Sequence, residues 1–211
     1  MIHSQIDHLV ITAPSLATGV EYVRSVFGVS PQVGGAHPRM GTHNCLLRVG
    51  KALYLEVISI DPNAPKPDRS RWFNLDQEHL HFTPHLTTWV ARTNDISAAS
   101  VGASVPIGDI ESMSRGQFEW QITIPSDGSL LFDGVAPSLI QWDTQIHPAS
   151  LLDDLGCTLL KLEGYHPQAA EISELLQSIG LQDESLFWSI LPSARPSLKA
   201  QIQTPFGVRS I

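Results

Sequence analysis

Apolar positions recur along the chain at two periods, and the switches between them predict its elements. Residues 6–12 alternate as a strand does, with Leu9 and Ile11 on one face and His8, Val10 and Thr12 on the other. Pro14 and Ser15 then open a helix in which Leu16, Val20, Val23 and Phe27 fall at helical spacing, and Gly28 stops it. Gly34, Gly35 and Pro38 mark a loop, after which 44–49 and 53–60 read as strands joined by a tight turn at Gly50 and Lys51. The order is that of a βαβββ unit.

Pro62, Pro65, Pro67 and Pro84, set among mixed charges, predict a crossing linker over 62–84 with one short helix around Arg71 to Leu75. From His85 the pattern restarts. HLTTWVARTNDISAASVGA lies beside HLVITAPSLATGVEYVRSVFGV, each with His and then Leu ahead of a strand, a turn and a helix, and strands at 118–124 and 139–142 complete the second unit. A third strand-helix pair follows, a strand over 158–162 and then a helix that starts near His166 with Pro167 at its first position and ends at Gly180, with Ile172, Leu175, Leu176 and Ile179 as its apolar stripe. Strands over 186–190, 198–202 and 207–211 follow. The reading is an α+β fold: a first βαβββ module at 1–61, the linker at 62–84, a second βαβββ-like module at 85–146, and a C-terminal βα-β extension at 147–211 packed on the same body.

Composition narrows the partners. The 211 residues are 42% hydrophobic and 16% charged, enough to bury a core and too apolar for disorder. Thirteen Lys+Arg against 21 Asp+Glu give a net charge of -8 with no basic face, which argues against nucleic acid and anionic membrane surfaces as partners. The opening MIHSQIDHLVITAP lacks a basic region, and its apolar run is too short for a signal peptide or a membrane span, so a cytoplasmic location is expected. Cys45 and Cys157 stand far apart in apolar contexts and read as buried, inert thiols. No GxGxxG, P-loop, GxSxG or HExxH string occurs, so dinucleotide, nucleotide, hydrolase and zincin chemistries lose their usual support.

The opening IDHLVI, the loop GGAHPRMGTHN, the strand YLEVISIDP and the later PSLIQWD together resemble the glyoxalase-like domains of the vicinal oxygen chelate superfamily. The resemblance covers the first two thirds of the chain by motif and the last third by element order. It implies paired βαβββ modules whose curved sheet forms an open cup, and a divalent ion (Zn, Ni, Fe, Mn or Co) held there by His8, Glu56, His85 and Gln141. Gln141 stands where relatives carry a carboxylate. The resemblance also implies a metal-dependent enzyme acting on a small molecule with vicinal oxygens, by lyase, isomerase or dioxygenase chemistry, with Glu56 alternating between ligand and base. The alternative is a metal-free drug- or metabolite-binding protein. Pairing of modules between chains makes a homodimer one possible assembly.

The residues themselves add weight unevenly. Glu56 interrupts the apolar run LYLEVISI, where a carboxylate needs a compensating cation, a salt bridge such as one to Arg39, or a water-facing edge. His85 opens the second repeat as His8 opens the first, but shares its neighbourhood with His79 and His81. His37 and His43 are candidates for substrate hydrogen bonds, whereas Asn44 reads as a turn cap. Arg115 can hold a substrate carboxylate or phosphate, or sit solvated in a loop. Trp89 shares strand parity with His85 and is a candidate pocket wall, and His147 a candidate at the cup mouth. Should residues 158–162 be the true partner of the first strand, Glu163 would compete for the site.

Overall fold

In the computed structural model, which describes residues 1–77, 82–183 and 186–211, strand β1 (Ser4–Thr12) runs into helix α1 (Leu16–Phe27) through Ser15. The Ser15 hydroxyl accepts a hydrogen bond from the Thr18 backbone N–H at 3.2 Å, satisfying one of the helix's orphan donors, a cap worth about 0.5–2 kcal/mol. Gly28 ends the helix in the left-handed region (φ 76°), where a Cβ would be strained. Strands β2 (Gln32–His37), β3 (Thr42–Gly50) and β4 (Leu53–Ile60) complete the module. The order recurs as β5 (His85–Thr93), α2 (Ile96–Gly102), β6 (Asp109–Arg115), β7 (Phe118–Ile124) and β8 (Ser138–Trp142).

Each module pairs its first strand in parallel with its last, and the modules join where β1 meets β5 antiparallel. The result is one eight-stranded sheet, ordered β2-β3-β4-β1-β5-β8-β7-β6 and curled into a half-barrel. The sequence pattern places a loop where β2 forms and no strand where β6 forms. Both are edge strands, QVGGAH and DIESMSR, and an edge that meets water on one side has little need of the apolar alternation that betrays a strand.

The convex face carries Leu9, Ile11, Leu55, Val57, Trp89 and Leu139 into the main core with both module helices. Against it packs a second, four-stranded sheet, ordered β10-β9-β11-β12, made of β9 (Thr158–His166), β10 (Phe187–Pro192), β11 (Ser197–Thr204) and β12 (Gly207–Ser210) with helix α3 (Ala169–Ser178). Ile172, Leu175, Leu176 and Ile179 are all essentially fully buried, each contributing about 1.5–3 kcal/mol of burial. Pro167 is not the first helical residue. It lies in the turn after β9, and α3 starts two residues later. Among the described residues no helix is long and apolar enough to cross a membrane.

The expected short helix at 71–75 is absent. The chain turns there instead, with Phe73 and Asn74 at φ 55° and 59°, and buries Trp72, Phe73 and Leu75 against the concave face beside Val10, Ile58 and Val90. Positive φ at a phenylalanine costs on the order of 1–3 kcal/mol and persists only where surroundings over-determine it. Here Asn74 N–H donates to the Gly128 carbonyl at 2.9 Å, and Arg39 and Arg69 both pair with Glu111 of β6. The segment is a strap across the cup.

Candidate functional site

The site begins with an irregularity in β1. Opposite β5, Ile6 pairs with Ala91 and His8 with Val90, so Asp7 is an extra residue in a β-bulge. Before the bulge Ile6 faces the convex core, after it Leu9 and Ile11 do, and at the bulge Asp7 and His8 both turn into the cup. Strict alternation puts Asp7 on the apolar face, which is why it escapes a period-two reading. An acid predicted to sit among Leu9 and Ile11 is itself the signal of a bulge.

Asp7 is fully buried and fully engaged. One carboxylate oxygen accepts from His8 Nδ1 at 2.6 Å, and the other from Trp142 Nε1 at 3.0 Å and His147 Nε2 at 2.9 Å, with Arg92 Nη1 3.7 Å away. Burial is the largest influence and pushes its pKa up. The hydrogen bonds and charges of His147 and His8 together outweigh it and hold the acid below the usual carboxylate range. His147 Nδ1 accepts from the Ala149 N–H, which leaves Nε2 as the donor toward Asp7.

An ionised acid can only accept, so His8 carries its proton on Nδ1 and turns Nε2 toward Glu56, whose Oε2 is 3.6 Å away. The imidazole is held flat by Tyr54, stacked at 4.5 Å between centroids. Burial, then the charges of Asp7 and Glu56, keep the Tyr54 phenol protonated. Glu56 is not paired with Arg39. Its Oε1 accepts from Asn44 Nδ2 at 2.5 Å, and Asn44 Oδ1 in turn accepts from the Gly35 N–H at 3.0 Å. A Cβ on Gly34 would fall 2.1 Å from that Oδ1, so the glycine pair of the GGAHPRMGTHN string gives Asn44 room to orient the acid.

His37 lines the same cavity, with Nδ1 3.0 Å from the Thr42 hydroxyl and Nε2 3.4 Å from both Asn44 Nδ2 and Arg115 Nη1. Its pKa is lowered to about 3, by burial first, then by the Arg115 charge, with His43 and His8 adding. An unfolded histidine titrates near 6.5. Between those values the unfolded chain binds one proton more than the native one, so stability falls with falling pH by about 1.4 kcal/mol per unit. His37→Gln is therefore expected to lose about 2 kcal/mol less than the native protein between pH 6 and 4.5. Urea unfolding at the two pH values measures this, and equal losses would contradict it.

The other expected residues lie elsewhere. His85 is the first residue of β5, exposed, paired with Thr12 and bonded through Nδ1 to the Thr83 carbonyl at 3.0 Å. Matching the repeats at their histidines puts His85 beside His8. Antiparallel pairing instead puts Val90 there and sets His85 opposite Thr12, four positions and about 13 Å along β1 from His8. Gln141 points to the convex side, where its Oε1 accepts from the Ile96 N–H at 2.8 Å and caps α2, so Ile140 and Trp142 face the cup in its place. His43 lies outside the cavity lining, with Nε2 buried and without a hydrogen-bond partner among the described residues. Trp89 faces the convex core and donates to the Val135 carbonyl at 2.8 Å. Glu163 pairs with Lys161 on the second sheet, while His79 and His81 lie outside the described residues. Cys45 and Cys157 are buried free thiols, with burial raising both pKa values.

The cavity is lined by Trp72 and Phe73 from the strap and by Trp120, Ile122, Ile140 and Trp142 from the second module. A divalent ion of the kind implied by the family needs three or four donors. The first module offers His8 Nε2 and Glu56 Oε2, while His37 Nε2 is turned to Asn44 and Arg115, and apart from Arg115 the facing wall is apolar. Among the described residues no three His, Cys, Asp or Glu side chains gather to hold an ion. The donor set does not fit a divalent metal.

Paired βαβββ modules curled around a cup with a polar floor in the first module define a glyoxalase-like protein. The signature of the glyoxalase-like domain family matches residues 6–180, and the chain belongs to that family. Among solved structures, a hypothetical protein from Staphylococcus aureus shares 12% identity and a TM-score of 0.65, covering 92% of this chain and 88% of that one. A Streptomyces coelicolor methylmalonyl-CoA epimerase in complex with 2-nitronate-propionyl-CoA shares 15% identity with a TM-score of 0.43, covering 66% of this chain and 97% of that one. A methylmalonyl-CoA epimerase in complex with methylmalonyl-CoA and NH4+ shares 15% with a TM-score of 0.45, over 69% and 99%. No curated protein matches the chain in sequence.

Proposed function

We propose that the protein is an enzyme of the glyoxalase-like type that moves a proton on a small molecule bearing adjacent oxygens, using Glu56 and His8 and no divalent metal. The observation that carries this reading is the line Asp7–His8–Glu56, in which a buried acid fixes the histidine tautomer and leaves Nε2 facing a second, oriented carboxylate. Glu56 takes the proton from a carbon beside a carbonyl, and the electron pair passes to the carbonyl oxygen. The same pair of side chains returns a proton to complete an isomerisation. Aromatic walls that exclude water strengthen each electrostatic contact inside. Dioxygenase chemistry asks for a redox-metal site that two donors do not make. A metal-free binding protein would share the walls but would have no use for an acid that fixes the tautomer of His8.

Metal analysis of protein purified without chelator tests the metal-free reading. The expected result is substoichiometric metal and a melting temperature unmoved by EDTA or by added Zn or Mn. A resident ion at 100 times its Kd would stabilise the fold by about 2.7 kcal/mol, a rise of roughly 5–10 °C. Stoichiometric metal together with such a rise would overturn the proposal.

A further inference from the structure

We infer that the cup takes a small organic carboxylate whose oxygens are held by the Arg115 guanidinium and the indole N–H of Trp72. The inference rests on the acid–base reading for what happens to the molecule, and not for how it binds.

Trp72 and Arg115 reach the same cavity from different elements, the strap and the end of β6. Trp72 is 4% exposed, and its Nε1 is buried with no hydrogen-bond partner among the described residues. An indole N–H can only donate, so what would satisfy it is an acceptor. Buried donors are seldom left unmet in folded proteins.

Arg115 is likewise a donor without an acid. Its neighbours are matched: Arg39 and Arg69 share Glu111, and Arg71 pairs with Asp76. Arg115 has, among the described residues, only the neutral His37 Nε2 at 3.4 Å and the face of Phe118 at 5.7 Å. Two donor-only groups, one of them charged, thus border one cavity whose own acid, Glu56, is already held by Asn44. The complement is a negatively charged acceptor with two oxygens, which a guanidinium fork binds side by side. Because Glu56 and the ionised Asp7 lie at the same floor, a single charge is tolerated better than the double charge of a phosphate. Trp72 and Phe73 stack at 5.4 Å, and Trp120 and Trp142 meet at 5.4 Å, so the walls suit a flat or apolar body behind the carboxylate.

Calorimetric titration of the full chain with phenylpyruvate, pyruvate, methyl phenylpyruvate and phenyl phosphate tests this. At least one acid is expected to bind with Kd below about 1 mM, and the ester at least ~10-fold more weakly than phenylpyruvate. Arg115→Gln is expected to weaken the acid by ~10-fold or more, with Arg115→Lys between it and the native protein, and Trp72→Phe to weaken it by about 3-fold, while the ester is unaffected. Neither acid binding, an ester as tight as its acid, phenyl phosphate tighter than both acids, or folded Arg115→Gln binding like the native protein would each overturn the inference. Binding that depends on Arg115 without any carbon–hydrogen exchange would leave this site standing and remove the acid–base reading. Exchange on the ester as fast as on the acid would do the reverse.

Discussion

Asp7→Ala is expected to destabilise the protein by about 3–5 kcal/mol, the range seen when one partner of a buried ionic cluster is removed. Asp7 has no exposed surface, and three side-chain donors from β1, β8 and the turn at His147 converge on it. Its removal leaves those donors unmet in the interior and frees the His8 ring to adopt the other tautomer. Asp7→Asn keeps the volume and one acceptor, so it is expected to lose less stability while still scrambling the His8 tautomer. In thermal unfolding the alanine variant should melt roughly 10 °C below the native protein. A shift under 2–3 °C, equivalent to less than about 1 kcal/mol, would mean that the cluster does not carry the floor of the cup.

Much of the fold is legible in the sequence because most strands and both long helices bury one face and expose the other. The stripe of α3 and the alternation of β1, β4 and β7 report directly which side meets the core. The edges β2 and β6 give no such report, and the strap is hidden for a related reason. Its prolines announce a linker, while the pair Trp72–Phe73, too large and apolar for a solvated crossing, is what announces a roof. At the site, His8 and Glu56 are brought together on neighbouring strands, since parallel pairing sets Glu56 opposite Val10, two residues beyond His8. His85 and Gln141 are not, because internal repetition in sequence fixes neither the register of the β1–β5 pair nor the face of a residue in β8. Asp7 and His147 become visible as site residues only once the bulge is known.

Glu56→Gln is expected to lower proton transfer by about 10²–10⁴-fold, the contribution of a positioned general base. The amide is nearly isosteric and can still contact Asn44, so folding should be spared, and melting within 2–3 °C of the native protein serves as the control. Glu56→Asp keeps the carboxylate but withdraws it from His8 and from the cavity, and should fall between the two. The most direct test is deuterium exchange into the carbon beside the carbonyl of phenylpyruvate, followed by NMR above the solvent rate in D2O, with protein exhaustively dialysed against EDTA. Exchange that persists in the chelated native protein and disappears with Glu56→Gln is the expected result. Exchange that appears only on adding a divalent metal, or that survives the loss of Glu56, would contradict it.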